Sequence, residues 1–191
     1  YGTDSLNLLE SPKILDSRNF SKQRSLKVFE YAIDETSDGR IVIMGIPQYS
    51  YEDETFVDLL ILNPKDFEIE KDRIKIPYED KTPAISIHNV LLKEDNIAVA
   101  FNAYNSRAEN KSDKKKAMLF HHDLNSGKEI LVHLKLENYQ IDEFMIDTIE
   151  NGLMGCAGLY SKNNVSGSLG TVWFEVDLAK GEVENVSLNK F

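Results

Sequence analysis

The sequence predicts an all-β fold, and three observations support this prediction. The apolar runs are short and rich in β-branched and aromatic residues, which favour strands over helices. Turn-forming residues recur at intervals of roughly 8 to 12 residues, as in antiparallel β proteins. One pattern of strand, turn and strand is also repeated three times along the chain. These features together predict a series of antiparallel hairpins.

The first hairpin of each repeat runs from an apolar strand through a tight polar turn to a second apolar strand and a tyrosine. The three hairpins cover residues 27–49, 84–104 and 141–160. Their turns read "SDGR", "EDNI" and "ENGL", and Asp-Gly and Asn-Gly supply the positive φ angles of tight turns. The aligned turn residues are Gly39, Asn96 and Gly152, and the closing tyrosines are Tyr49, Tyr104 and Tyr160.

A second hairpin follows in each repeat, over residues 55–76, 116–136 and 171–188. Its first strand ends in Asn63, Asp123 or Asp177, whose side chains can accept hydrogen bonds from the backbone of the following turn. The chain is therefore predicted to contain three four-stranded units. We place them at residues 27–80, 84–138 and 141–191, after a segment over residues 1–26 that forms a linker or an extra strand.

Tandem units of four antiparallel strands are typical of β-propeller blades. Three blades are fewer than the four to eight that usually close a ring. The chain is thus expected to be part of a longer propeller, to pair with a second copy into six blades, or to form an open array. The alternative is a β-sandwich built from six hairpins.

The pattern of strand, Asp, turn, "SGKEI" and strand resembles the outer hairpins of quinoprotein-like propellers. In addition, "GLYSKNNVSGSLGTVWFEVD" and "ILDSRNFSKQRSLKVFEY" resemble segments of exported proteins from Bacteroidetes-type bacteria that have no assigned activity. This resemblance implies a propeller-like architecture and export to the periplasm or cell surface. It implies no catalytic residue.

The charge of the chain excludes several classes of partner. The formal net charge is −10, so the surface repels nucleic-acid phosphates and anionic lipids. The cationic run "KSDKKK", residues 111–116, is interpreted as a solvated loop. The single cysteine, Cys156, lies in an apolar run and is expected to be a small buried side chain.

No metal or cofactor is expected from the sequence. His121 and His122 are adjacent on a predicted strand, so their side chains point to opposite faces and cannot bind one ion together. His133 lies on the strand paired with them, but a third ligand is missing from the local sequence. The run "DETSDG", residues 34–39, begins like a calcium loop and lacks the glutamate at position twelve.

The sequence contains none of the common catalytic motifs, so no catalytic residue is assigned. Paired carboxylates near the strand ends could still cleave glycosidic bonds if the fold brings two of them together. An enzyme of polysaccharide breakdown, with acids at the mouth of a propeller channel, is therefore kept as an alternative. The candidate acids are Asp53, Glu54, Asp58, Glu143, Asp147 and Glu175.

The preferred interpretation is a non-catalytic binding or scaffold module of an exported bacterial protein. Its contacts with a glycan or a protein are expected on the loops over residues 50–55, 105–116 and 161–170, which would share one rim. Flat amphipathic rings suit such contacts. The proposed ligand-binding residues are Tyr49, Tyr51, Tyr104, Tyr160 and Trp173. A sensor domain of a larger chain is a further alternative.

Overall fold

The computed structural model describes residues 29–47, 49–50, 54–78, 84–104, 115–163 and 167–191. Within these ranges thirteen strands form three antiparallel sheets that follow one another along the chain. The fold is therefore all-β, as predicted. The segment expected over residues 1–26 lies outside the described residues. Among the elements described, no helix is long and apolar enough to cross a membrane.

The first sheet has the strand order β1-β2-β4-β5. Its strands are β1 (Phe29–Glu35), β2 (Ile41–Pro47), β4 (Phe56–Leu62) and β5 (Ile69–Lys75). The short strand β3 (Tyr49–Ser50) follows β2 in the chain but leaves this sheet. It pairs instead with β6 (Ala84–Lys93), the first long strand of the second sheet.

The second sheet has the order β3-β6-β7-β8-β9, so its four long strands carry the two residues of β3 on one edge. The long strands are β6 (Ala84–Lys93), β7 (Asn96–Tyr104), β8 (Lys115–Asp123) and β9 (Glu129–Leu134). The interpretation of the cationic run over residues 111–116 as a loop is wrong for its last two residues. Lys115 and Lys116 belong to β8 and are half-buried. The rest of that run lies outside the described residues.

The third sheet has the order β10-β11-β12-β13. Its strands are β10 (Tyr139–Glu150), β11 (Leu153–Lys162), β12 (Gly170–Asp177) and β13 (Glu182–Lys190). In all three sheets the long strands follow one another in chain order, each antiparallel to its neighbour. Each sheet is thus one up-and-down meander, the arrangement of a propeller blade.

The turns between the first two long strands of each sheet differ in detail. Asn151 and Gly152 both have positive φ, as in a type I′ turn, whereas only Gly39 does so in the first sheet. In the second sheet the positive φ belongs to Glu94. The alignment of Asn96 with the two glycines was therefore wrong, because Asn96 is already the first residue of β7.

The turns after β4, β8 and β12 are the same in all three sheets. The side-chain oxygen of Asn63, Asp123 or Asp177 accepts a backbone N–H two residues later, at 3.1, 2.9 and 2.8 Å. The fourth residue after each, Phe67, Gly127 or Gly181, has positive φ. Lys180 lies beside Asp177 and lowers the pKa of that carboxyl to about 2. These turns confirm that the recurring Asx residues have a structural role.

Two hydrophobic cores separate the three sheets. The first contains Val42, Met44 and Leu59 of the first sheet with Phe101 and Phe120 of the second. The second contains alanines and Leu119 of the second sheet with the apolar side chains of the third. A β-sandwich has two sheets around one core. The sandwich alternative is therefore wrong, because here a middle sheet is covered on both faces.

Cys156 lies in the second core and is fully buried. Burial raises the pKa of its thiol to about 12. The thiol is therefore neutral at physiological pH and behaves as a small apolar side chain. This confirms the expectation for Cys156.

Candidate binding site at the tyrosine-bearing rim

Tyr104, Tyr160 and Trp173, the predicted ligand-binding residues whose side chains the structure describes, do not form one surface. Tyr104 ends β7 with 37% of its surface exposed, whereas Tyr160, near the end of β11, is only 4% exposed. The ring of Tyr160 packs edge-to-face on Tyr139, with 5.1 Å between the ring centroids. Tyr49 lies on β3, opposite Ser86. Tyr51 lies outside the described residues.

A difference of one residue in register separates Tyr104 from Tyr160. The residue opposite Asp123 is Asn96, and the residue opposite Asp177 is Leu153. Counted from these positions, Tyr104 comes one residue later in its strand than Tyr160 does. Successive side chains of a strand point to opposite faces, so the two tyrosines lie on opposite faces of their sheets. The prediction that the tyrosines form an exposed ring at equivalent positions is therefore wrong for Tyr160.

Trp173 lies away from the rim, in the middle of β12. It stands opposite Ala157 on one side and Ser187 on the other, and 40% of its surface is exposed. Its side chain is on the face of the third sheet that turns away from the second core, because the neighbouring Val172 and Phe174 lie in that core. Trp173 therefore belongs to a different surface from Tyr104.

A polar cluster does occupy the rim between the second and third sheets, and its centre is Asp142. A β-bulge in β10 between Ile141 and Glu143 makes Asp142 an extra residue, and bulges re-aim side chains in this way. The Asp142 carboxylate accepts hydrogen bonds from Ser161 Oγ at 2.9 Å and from Lys115 Nζ at 3.2 Å. The Lys115 and Asp142 side chains are both largely buried, so solvent screens this ion pair only partly.

Asn102 and Gln140 tie the cluster to both sheets. The fully buried Asn102 donates from Nδ2 to the backbone oxygen of Asp142 at 2.6 Å. Gln140 Nε2 donates to Ser161 Oγ at 3.0 Å and to Asp142 Oδ1 at 3.3 Å. The rim of β7, β10 and β11 is therefore held together by side-chain hydrogen bonds, which fixes the surface beside it.

A depression of about 260 Å³ lies beside this cluster. Its polar lining comes from the side chains of Lys115, His133, Lys135, Tyr139, Gln140 and Asn163. Lys135 and Asn163 form no side-chain hydrogen bond within the described part of the chain. The depression thus offers cations, amides and an aromatic ring to a ligand on a rigid β frame. The depression could not be predicted from the sequence, because its residues come from three strands and two turns.

A larger cavity of about 600 Å³ runs between the outer strands of the first and second sheets. Most of its charged lining residues are already paired within the protein, and the side chains of Arg73 and Lys75 extend from β5 to the face of the first sheet directed away from the second. His122 Nδ1 lies 3.0 Å from Glu129, Arg73 lies 2.6 Å from Asp58, and Lys75 lies 2.5 Å from Glu54. A ligand would have to compete with these pairs, so the rim depression is the better candidate for a binding site.

The histidines of β8 lie on opposite faces, as expected. His121 is buried, with Nε2 at 3.0 Å from Asn96 Oδ1, while His122 contacts Glu129 on the other face. Burial lowers the pKa of His121, and the charge of Asp123 opposes this effect in part. Within the described ranges no group of three or more His, Cys, Asp or Glu side chains could hold a metal ion.

The described acids proposed for catalysis are divided between two sheets: Asp58 and Glu54 belong to the first, whereas Glu143, Asp147 and Glu175 lie on β10 and β12 of the third. Asp58 lies on β4, and Glu54 lies just before that strand. Each of them pairs with a cation. Glu143 borders a cavity with His88 on the open side of the third sheet. Burial lowers the pKa of His88, and Glu143 opposes this effect. Asp53 lies outside the described residues.

The fold is similar to that of solved structures of an apocarotenoid oxygenase and of chimeras made from it. The cobalt-substituted apocarotenoid oxygenase of Synechocystis matches with a TM-score of 0.55 at 11% identity, over 91% of this chain and 41% of that one. An ACO/RPE65 chimera matches with a TM-score of 0.52 at 11% identity, over 91% of this chain and 41% of that one. The three sheets match part of a β-propeller.

No protein-family model matches the chain, and no curated protein matches its sequence. At 11% identity the structural likeness shows the fold alone. The chain spans about two fifths of the length of these propeller proteins. The repeat interpretation of the sequence is thus confirmed for the architecture, and the activity of the relatives is not transferred to this chain.

Proposed function

We propose that this chain is a non-catalytic binding module of an exported bacterial protein, and that it binds a carboxylated glycan at the rim between its second and third sheets. The depression beside Asp142 carries this proposal. Lys135 suits a carboxylate, the side-chain amides of Gln140 and Asn163 suit sugar hydroxyls, and Tyr139 offers part of an aromatic ring. Export is inferred from the resemblance of two sequence segments to exported bacterial proteins.

Three acids are unsuited to the role of general acid in glycoside cleavage. The pKa values of Asp38, Asp123 and Asp177 are all lowered. A general acid for glycoside cleavage needs a raised pKa. These three acids also lie in turns, where hydrogen bonds to their own loops cause the shift.

Calorimetric titration with a short oligogalacturonate, compared with a neutral oligogalactoside of equal length, tests this proposal. We expect binding of the acidic oligomer only, and a loss of about tenfold in affinity for Lys135→Gln, since one charge-assisted hydrogen bond is removed. Lys65→Gln is the matched control, because Lys65 lies in the outer turn of the first sheet. It should bind like the unmodified chain.

Two results would contradict the proposal. One is the absence of heat with either oligomer, which would leave a protein partner as the remaining class of ligand. The other is an equal loss of affinity in Lys65→Gln and Lys135→Gln, which would place binding elsewhere or make it a general charge effect. Release of shortened products during the titration would support the enzyme alternative.

A further inference from the structure

The two outer faces of the array carry a further inference, which is independent of ligand binding at the rim. We define the leading face of each sheet as the one directed towards the next sheet along the chain, and the trailing face as the opposite one. The leading face of the first sheet packs on the trailing face of the second, and the leading face of the second packs on the trailing face of the third. Within the described part of the chain, no sheet covers the trailing face of the first sheet or the leading face of the third.

Equivalent positions show that the open leading face resembles the covered ones. Leu59, Leu119 and Trp173 each lie four residues before the Asx residue of the outer turn. Leu59 is 2% exposed and Leu119 is fully buried, whereas Trp173 is 40% exposed. Their cross-strand neighbours are Met44, Ala100 and Ala157, respectively. In the first and second sheets this apolar row is covered by the next sheet. In the third sheet the equivalent row is exposed within the described chain.

The open trailing face of the first sheet is apolar in the same way. Ile33 stands opposite Ile43, which stands opposite Leu60. Phe120 and Phe174 occupy the positions equivalent to Leu60 in the other sheets, and both are buried in an interface between sheets. Ile33 is 65% exposed. Leu60 is only 8% exposed, so the exposed end of this row is at Ile33, and an exposed apolar patch of this kind marks an interaction surface.

The two open faces also carry charges of opposite sign. The third sheet has a depression of about 290 Å³, which is lined by Met145, Ala157 and Leu159 and bordered by Glu143 and His88. The outer strand of the first sheet directs Lys71, Arg73 and Lys75 to its trailing face, where Asp58 pairs with Arg73 and Glu54 with Lys75, so the charge of Lys71 is left. On the leading face of the third sheet, Glu184 pairs with Lys180, whereas Glu143 and Glu175 form no ion pair within the described chain.

We propose that the leading face of the third sheet binds the trailing face of the first sheet in a second copy of this chain. The contact is head-to-tail, and two such contacts related by a two-fold axis close a ring of six sheets. Six lies within the range of four to eight blades that closes a propeller. A second copy supplies both required faces at once and leaves no apolar row open.

Light scattering on a sizing column tests this arrangement. The chain has a mass of 21.8 kDa, and we expect a particle of twice that mass. Trp173→Asp and Ile33→Asp should each give a monomer, because either one buries a carboxylate in both contacts. Phe67→Asp is the matched control: Phe67 is also a half-exposed aromatic residue, but it lies in an outer turn, away from both faces. It should remain a dimer.

Mixing the two monomeric variants sharpens the test. Trp173→Asp keeps an intact first sheet and Ile33→Asp an intact third sheet, so a mixed pair has one unmodified contact. We expect the mixture to associate, more weakly than the unmodified chain, although neither variant does so alone. A dimer formed by two third sheets facing each other would instead be insensitive to Ile33→Asp.

The proposal is overturned if the unmodified chain is a monomer, because the two open faces then do not bind each other. It is also overturned if folded Trp173→Asp remains a dimer, or if the mixture of variants stays monomeric. Circular dichroism confirms folding of each variant. If Trp173→Asp does not fold, Met145→Asp on the same row replaces it, since Met145 is more than half exposed.

Discussion

The second and third sheets have nearly the same strand pattern, yet their side chains have different surroundings. In the second sheet, Val99 and Phe101 are buried against the first sheet, while Ala98 and Ala100 are buried against the third. In the third sheet, the residues that alternate with the core positions of β11 and β12 include Ala157 and Trp173, and these are partly exposed. The position of a sheet in the array therefore decides which strand positions are buried.

The largest effect is expected from a cavity in the middle sheet. Phe101 is fully buried in the first core, and Phe101→Ala should lower the free energy of unfolding by about 3 to 5 kcal/mol. Phe67→Ala, in an outer turn of an end sheet, should change it by about 0.5 kcal/mol or less. Urea unfolding followed by circular dichroism measures both. Equal losses would show that the middle sheet is no more tightly packed than the edge.

A second substitution examines how closely the strands of the third sheet contact each other. A Cβ on Gly158 would lie at 2.6 Å from Cβ of Phe144 and even closer to the backbone oxygen of Glu143. Gly158→Ala should therefore cost about 1 to 3 kcal/mol through overpacking. Gly155→Ala is the control, because its Cβ would meet only the Thr148 hydroxyl, at 2.9 Å, and that side chain can move. Similar unfolding midpoints for the two variants would contradict the prediction.

The smallest effect concerns the pH dependence of stability. Burial lowers the pKa of His121 below its unfolded value, so the unfolded chain binds a proton that the folded chain resists. The contribution of His121 to the free energy of unfolding is therefore complete above a pH of about 6.5. It decreases as the pH is lowered towards the pKa of His121 in the folded chain. His121→Gln should make the free energy of unfolding less dependent on pH in this range. Part of the dependence should remain, because burial also lowers the pKa of His88. Parallel stability curves between pH 7 and 5 would contradict this account.

Much of the fold could be predicted from the sequence because the repeat is local. Each sheet consists of consecutive strands, and the Asx turns at Asn63, Asp123 and Asp177 depend on a few neighbouring residues. The pairing of β3 with the second sheet was not predicted, since two residues carry no pattern. The bulges that introduce His88 and Asp142 were missed for a related reason: a single inserted residue leaves the apolar pattern almost unchanged.

The candidate site was less predictable than the fold. Tyr104 and Tyr160 looked equivalent by sequence, but Tyr104 lies eight residues after the first residue of β7 and Tyr160 seven after that of β11, which reverses the face. The exposure of Trp173 depends on the absence of a covering sheet within the described chain, which its own strand does not encode. The ion pair of Lys115 with Asp142 links two sheets through residues 27 positions apart. Sequence spacing alone gives no sign of such a contact.

The short strand β3 has a consequence for the way the molecule opens. By pairing with Ser86 and Ile85, it fastens the chain that leaves the first sheet to the inner strand of the second. The first sheet therefore cannot open fully without breaking these backbone bonds, whereas the third sheet is joined to the second mainly by side chains. In native-state hydrogen exchange, the amides of the first two sheets should open as one cooperative unit, with those of the third sheet as a second.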